Sequence, residues 1–203
     1  MRLIGMMDSP YVRRVAVSLK FLQIPFAHEP VSVFRQFAEF SALNPVVKAP
    51  TLITDDDIVL MDSTLIVDFA EQLATPERRL MPADLQQYAR GQRLIGLALA
   101  ACEKTVQLVY EFDRPADKQH QPWIERVRRQ MREAYRLLEA ELNCEGGWLL
   151  GDSITQADIS AAITWRFNQF VLHEELAVES HPKLAEFSRR AEALPEFAST
   201  PLE

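Results

Sequence analysis

The feature that most constrains the fold of this chain is a change of pattern near residue 75. Before it, short apolar segments alternate with amphipathic segments, whereas only helical periodicity recurs after it. The stretch 76–84 between them is polar and contains proline, as linkers between domains usually do. We therefore expect an α/β domain over residues 1–75 and an all-helical domain over residues 85–203. The helices expected in the second domain are at about 85–112, 122–143, 155–171 and 182–194.

The first domain is predicted to be a small mixed sheet with helices on both faces. Its first two strands flank an amphipathic segment, and such a β-α-β unit favours parallel pairing of the strands. A short helix, a hairpin around the acidic turn Asp55-Asp56-Asp57 and a last helix follow. This order is that of the thioredoxin-like fold. The predicted segments are strands at 2–5 and 27–33, helices at Val12–Leu22, Phe34–Leu43 and Asp62–Leu73, and hairpin strands at 51–53 and 58–60.

The hexapeptide Ser9-Pro10-Tyr11-Val12-Arg13-Arg14 comes just after the first predicted strand. A serine before proline is an ordinary helix start, with the serine as N-cap. The unpaired N–H groups and the dipole of a helix N-terminus also favour a bound anion. The spacing matches the Cys-Pro-Tyr-Cys of glutaredoxins, with Ser9 and Val12 in place of both cysteines. A dithiol oxidoreductase is therefore excluded, while a plain cap and a site for a bound thiolate both stay open.

Composition and charge narrow the classes of function. The chain has 203 residues, 48% hydrophobic and 25% charged, as in an ordinary soluble globular protein. The net charge of −7 argues against nucleic-acid binding, and the arginines between 126 and 136 alternate with glutamates, which indicates a solvated helix face. Cys102, Cys144 and the four histidines show neither disulfide nor metal-ligand spacing, so no metal is expected. No segment approaches the ~18 apolar residues of a membrane span and no signal-peptide pattern is present, so we expect no membrane partner and a cytoplasmic location.

The segment Ile154-Thr155-Gln156-Ala157-Asp158-Ile159 predicts a helix with a fixed start. Thr155 and Asp158 have the spacing of a capping box, and Ile154 and Ile159 that of a hydrophobic staple. We interpret this motif as structural.

Four motifs, in this order and spacing, resemble those of the cytosolic glutathione S-transferase family, and the resemblance covers the whole chain. Ser9-Pro10-Tyr11-Val12-Arg13 is similar to the catalytic serine loop of serine-type members. Lys48-Ala49-Pro50-Thr51-Leu52 is similar to the family's Lys-Val-Pro-x-Leu, whose proline is cis. Asp62-Ser63 resembles the acidic-serine pair that holds the γ-glutamyl end of glutathione, and the Thr155–Asp158 capping box is also typical of the family. The resemblance implies a thioredoxin-like domain, an all-helical domain and a homodimer.

The resemblance also implies glutathione as co-substrate and Ser9 as the catalytic residue. The Ser9 hydroxyl would donate a hydrogen bond to the glutathione sulfur and, with the helix N-terminus, lower the pKa of the thiol. The backbone of Ala49, before a cis Pro50, would pair with the cysteinyl part of the ligand as an added strand does.

Three further residues are assigned to the ends of glutathione by the same resemblance. Ser63 would bind the γ-glutamyl carboxylate and Asp62 would lie near the ammonium group. Lys48 would pair with the glycyl carboxylate, although an exposed loop lysine is an equally compatible interpretation. A small apolar electrophile is expected between the domains. The candidate walls of its pocket are Met7, Tyr11, Phe34, Cys102, Tyr110 and Trp165.

Two classes of function stay open. The first is an enzyme that conjugates glutathione to an electrophile in detoxification, and the same scaffold supports peroxide reduction or isomerisation. The second is a non-catalytic binding or regulatory protein of the stringent-starvation type, which docks on RNA polymerase. The presence of Ser9, Pro50 and Asp62-Ser63 favours the enzyme. Val47 stands where the family often has glycine, which predicts a different path for this loop. The sequence indicates neither the electrophile nor the transferase subclass.

Overall fold

The computed structural model describes residues 1–142 and 147–202. Cys144 and the predicted helix end at residue 143 lie outside the described residues. The chain divides into two compact units, one formed by Met1–Met81 together with the segment from Leu194, and one formed by Pro82–Ala193. The first contains a small mixed sheet with helices and the second is helical, so the predicted fold class is confirmed.

A four-stranded sheet forms the frame of the first unit. Its strands are β1 (Arg2–Ile4), β2 (Ala27–Glu29), β3 (Thr51–Ile53) and β4 (Val59–Met61), and its order is β2-β1-β3-β4. The helices between them and after them are α1 (Pro10–Phe21), α2 (Phe37–Leu43) and α3 (Ser63–Leu73). β1 pairs in parallel with β2, while β1 with β3 and β3 with β4 pair antiparallel. The predicted β-α-β unit and the predicted hairpin are therefore both present.

β2 and α2 are each shorter than the sequence predicts by three or more residues. β2 ends at Glu29 because Pro30, which follows it, has no N–H to donate to a neighbouring strand. α2 begins at Phe37 and not at Phe34, since the residues before it form a turn. The Ser32 Oγ closes that turn by accepting a hydrogen bond of 3.3 Å from the Phe34 N–H.

A buried apolar cluster connects the sheet to α2 and to the loop before β3. Its members are Ile4 from β1, Val31 from the segment after β2, Phe40 from α2 and Ile53 from β3. Val47 and Ala49, which lie in the loop before β3, pack against this cluster. The loop that carries the predicted glutathione contacts is therefore anchored to the core by its own side chains.

The second unit is an arrangement of four main helices. They are α4 (Leu85–Phe112), α5 (Gln121–Glu141), α6 (Gln156–Val171) and α7 (Pro182–Glu192). α4 packs against α5 and α6, and α6 packs against α7. Most side chains of α6 are buried, and its start has the predicted capping box between Thr155 and Asp158. The predicted core helix with a fixed start is therefore confirmed.

The end of the chain groups with the first unit, whereas the sequence expectation assigned it to the helical domain. A short helix, α8 (Pro195–Ala198), was not predicted. Phe197 is fully buried, and its ring centroid lies 6.1 Å from that of Phe21 on α1. The buried Arg13 donates from Nε to the Thr200 carbonyl oxygen at 2.7 Å. These contacts span most of the chain length, which is why periodicity did not indicate them.

Candidate functional site

The first component of the candidate site is Ser9 at the start of α1. Its Oγ accepts a hydrogen bond of 3.4 Å from the Val12 N–H, and Pro10 occupies the first helical turn, as the Ser-Pro pattern predicts. Gly5 allows α1 to approach the end of β1 closely, since a Cβ there would lie 2.6 Å from Val12 Cγ2. The Ser9 hydroxyl donates to no partner within residues 1–142 and 147–202. A half-buried O–H donor therefore lies at a helix N-terminus.

The second component is the loop before β3. Its Ala49-Pro50 peptide bond is cis, as predicted. Within the described part of the chain, the Ala49 N–H and C=O have no hydrogen-bond partner. Both groups can therefore pair with an extended peptide, in the way that a sheet edge accepts an added strand.

Asn44 organises this loop, and sequence reasoning missed it. It is buried, its Nδ2 donates to Thr51 Oγ1 at 2.8 Å, and its Oδ1 accepts from the Val46 N–H at 3.0 Å. Thr51 Oγ1 in turn donates to the Lys48 carbonyl oxygen at 2.8 Å. The signal that could have found it is the asparagine before Pro45, since this residue type often bonds to the backbone two residues further on.

Val47 has a backbone conformation that favours glycine. Its φ is +53°, in the left-handed region that is unfavourable for a β-branched residue. Its N–H donates to the Asn44 carbonyl oxygen at 2.9 Å, which holds this conformation. The absence of glycine therefore strains the backbone at Val47, and this position adopts a glycine-like conformation.

The third component is the N-terminus of α3. Asp62 is the N-cap, and its Oδ1 accepts from the Thr64 N–H at 2.9 Å. Its φ of +74° lies in a region that costs of the order of 1–3 kcal/mol for a residue with a side chain. Ser63, the first helical residue, is 5% exposed. Strained residues of this kind cluster at ligand sites, so this corner is a candidate for ligand binding.

Lys48 and Asp62 lie close together, although the resemblance assigns them to opposite ends of glutathione. Lys48 Nζ is 3.9 Å from Asp62 Oδ2, and both side chains are about half exposed. An exposed ion pair of this kind contributes about 0–1 kcal/mol, so it is easily exchanged for other partners.

Arg14 is a further residue of this corner to which sequence reasoning gave no role. It is 3% exposed on α1, and its Nη1 donates to Ser63 Oγ at 3.0 Å and to Thr64 Oγ1 at 3.2 Å. The signal in the sequence is a pair of arginines within the otherwise apolar face of the first helix, because arginine is rarely buried without hydrogen-bonding partners.

The candidate electrophile-pocket residues differ widely in exposure. In the first unit, Met7 is buried, Tyr11 is half-buried and Phe34 is 72% exposed. In the second unit, Tyr110 is 54% exposed, while Cys102 and Trp165 are buried. The Trp165 ring packs edge-on against Tyr135, with ring centroids 5.6 Å apart. Their roles as pocket walls stay predictions.

The described residues contain neither a metal-binding group of side chains nor a membrane-spanning helix. Within residues 1–142 and 147–202, no three or more His, Cys, Asp or Glu side chains are grouped so that they could hold a metal ion. None of the helices in this part of the chain has both the length and the apolar character needed to cross a membrane.

Known proteins match both units. A family model described as the N-terminal domain of glutathione S-transferase matches residues 3–78, and one described as the C-terminal domain matches residues 121–190. An uncharacterized GST-like protein of Escherichia coli, YibF, is 28% identical over 165 residues, which are 80% of this chain and 79% of that protein.

Solved structures of similar proteins contain glutathione or its derivatives. A glutathione S-transferase of Methylobacterium radiotolerans, in complex with glutathione sulfonate, is 28% identical with a TM-score of 0.90, over 98% of this chain and 93% of that chain. One of Methylobacillus flagellatus with bound glutathione is 25% identical with a TM-score of 0.89, over 98% of both chains. Because both domain models and these structures agree with the architecture described above, the chain belongs to the glutathione S-transferase family.

Proposed function

We propose that this protein is a glutathione transferase in which the Ser9 hydroxyl stabilises the thiolate of glutathione. The observation that carries the proposal is the Ser9 O–H at the N-terminus of α1, whose oxygen caps the helix and whose proton has no acceptor among the described residues. A hydrogen bond to the sulfur and the positive end of the helix dipole both favour the charged form. Each effect lowers the pKa of the thiol and so increases the fraction of nucleophile at neutral pH.

Glutathione binding is supported by the two other components of the site. The Ala49 N–H and C=O would pair with the cysteinyl backbone, and Ser63 would bind the γ-glutamyl carboxylate at the N-terminus of α3. Lys48 would leave its exposed pair with Asp62 for the glycyl carboxylate, which frees Asp62 for the ligand's ammonium group. The relatives that contain glutathione or its derivatives at 25–28% identity support the same ligand.

The proposed reaction is a nucleophilic substitution or addition at a small apolar electrophile. With an activated aryl chloride, the thiolate forms a C–S bond, the C–Cl bond breaks, and chloride leaves with its electron pair. Peroxide reduction and isomerisation start from the same thiolate.

The homodimer, the role in detoxification and the cytoplasmic location follow from the family resemblance and are part of this proposal.

The test is the ultraviolet absorbance of bound glutathione thiolate as a function of pH. Ser9→Ala should raise the pKa of the bound thiol and lower kcat for the aryl chloride by about 10- to 100-fold, since hydrogen bonds to charged groups contribute about 1.5–3 kcal/mol. The affinity for glutathione should change little. Ser9→Asp is the matched variant, because aspartate caps a helix as well as serine does but offers no proton to a thiolate.

The pKa of the bound thiol distinguishes a catalytic glutathione transferase from a non-catalytic protein on the same scaffold. A bound thiol with the same pKa in Ser9→Ala and in the wild type would refute Ser9 as the catalytic residue. Glutathione binding without any lowering of the thiol pKa in the wild type would favour the non-catalytic, stringent-starvation type of protein on this scaffold.

A further inference from the structure

Arg14 connects the two helix N-termini of the proposed glutathione site. It lies on α1, one turn beyond Ser9, and its guanidinium reaches the first turn of α3. Its Nη1 is 3.0 Å from Ser63 Oγ and 3.2 Å from Thr64 Oγ1. The residue is 3% exposed, so a positive charge is held below the surface, directly behind the serine that is proposed to bind a carboxylate.

This contact determines the direction of the Ser63 hydroxyl. A guanidinium has five N–H donors and no acceptor, so Ser63 Oγ must use a lone pair for Arg14. The single Ser63 proton donates to no partner in residues 1–142 and 147–202. It is therefore available to an acceptor that approaches α3, and the charge-assisted bond from Arg14 polarises the O–H group.

We propose that Arg14 is a positioning residue for the γ-glutamyl carboxylate of glutathione: it fixes Ser63 as a hydrogen-bond donor and adds a positive charge behind the carboxylate site. This inference rests on the proposed function, because it requires that glutathione be the ligand. The positive end of the α3 dipole acts in the same direction. Thr64 Oγ1 also accepts from Arg14 and holds the guanidinium against the same helical turn.

The chain offers a matched control in the neighbouring Arg13. It is 1% exposed on the same helix, but its Nε donates to the Thr200 carbonyl oxygen and its guanidinium carbon lies 5.8 Å from the centre of the Phe197 ring. Arg13→Met and Arg14→Met each remove one buried guanidinium from α1. Both should therefore lower the thermal stability, whereas only Arg14→Met should affect the carboxylate end of the ligand.

The experiment measures binding by calorimetry with two probes on the folded variants. The probes are glutathione and γ-aminobutyryl-cysteinyl-glycine, which lacks only the α-carboxylate of the γ-glutamyl group. Arg14→Met should weaken glutathione binding by about 10- to 100-fold, as expected for lost charge-assisted contacts, and leave binding of the carboxylate-free probe within about twofold. KM for glutathione should rise by a similar factor with kcat nearly unchanged. Arg13→Met should change neither affinity by more than about threefold.

Arg14→Lys keeps the inference testable if Arg14→Met does not fold. It retains the charge but not the planar fork, so it should weaken glutathione binding by about three- to tenfold and spare the carboxylate-free probe. An equal loss for both probes, no loss for glutathione, or the same loss in Arg13→Met would overturn the role of Arg14. A wild-type protein that does not bind glutathione would instead overturn the proposed function, and this inference with it.

Discussion

Replacing Asp158 by alanine should lower the free energy of unfolding by about 3 kcal/mol, because this buried carboxylate is the acceptor for three donors in the segment that leads into α6. Asp158 is 0% exposed. Its Oδ1 accepts from the Leu149 N–H at 2.7 Å, and its Oδ2 accepts from the N–H and the hydroxyl of Thr155 at 2.7 and 2.6 Å. Alanine removes all three hydrogen bonds and leaves the backbone donors without their acceptor.

The magnitude follows from the burial of each donor. Leu149 is 6% exposed, and Thr155 is half-buried. Two backbone donors that lose their acceptor cost about 1–2 kcal/mol each, and the Thr155 hydroxyl bond adds about 0.5–1 kcal/mol. Burial raises the pKa of Asp158, so the charged carboxylate itself is unfavourable there, and its removal offsets part of this loss. For a chain of this size, about 3 kcal/mol corresponds to a fall of about 10 °C in Tm.

The assay is guanidinium unfolding at pH 7, followed by far-ultraviolet circular dichroism. Asp158→Asn should cost about 2 kcal/mol, because one amide oxygen can serve either Leu149 or Thr155 but not both. The exposed Asp152 provides the control, and Asp152→Ala should stay within about 0.5 kcal/mol of the wild type. An Asp158→Ala variant that is as stable as Asp152→Ala would refute the argument from buried donors.

Two further predictions concern the first unit. Phe40→Ala should lower the free energy of unfolding by about 3–5 kcal/mol, because Phe40 is fully buried in the apolar cluster. Phe37 lies on the same helix but is 60% exposed, so Phe37→Ala should lower it by less than about 0.5 kcal/mol. Equal losses for the two variants in denaturant unfolding would contradict this prediction. Burial raises the pKa of Glu71 above its ordinary 4.5, although its carboxylate accepts from the Leu80 N–H at 3.0 Å. Glu71 therefore has its ordinary pKa in the unfolded state and a higher pKa in the folded state. Between these two values the folded state holds more protons than the unfolded state. The free energy of unfolding of the wild type should thus fall as pH rises from the ordinary pKa to the raised one, relative to that of Glu71→Gln. A difference between the two proteins that is constant with pH would contradict it.

Features with a local cause could be predicted from the sequence. The hairpin around Asp55-Asp56-Asp57 is specified by an acidic turn between two apolar segments, and the start of α6 by the Thr155–Asp158 spacing. The cis bond before Pro50 was expected because the surrounding residues resemble a family motif, so it came from the resemblance and not from local physics. The late start of α2 was missed because the Ser32 side chain competes there with the helix for backbone donors.

Features that depend on distant partners could not be predicted. Arg14 and its acceptor Ser63 are 49 residues apart, and Arg13 and its acceptor Thr200 are 187 residues apart. Helical periodicity describes only which face of α1 is buried, and two arginines on that face look unfavourable until their acceptors are known. The ion pair between Lys48 and Asp62 could not be predicted for the same reason, because it depends on how the loop before β3 and the start of α3 meet.

Ser9 illustrates why a cap and a catalytic residue have the same local sequence. A serine N-cap uses a lone pair of Oγ to accept from a backbone N–H, whereas a catalytic serine of the proposed kind uses the proton of the same hydroxyl. Both uses are compatible in one side chain, and here the lone pair is engaged by Val12 while the proton has no acceptor among the described residues. Since Ser-Pro alone cannot distinguish them, the assignment depends on the neighbouring components: a cis Pro50 loop with open backbone groups, and a Ser63 hydroxyl whose direction is set from behind by Arg14. A cap that served only the helix would require neither of them.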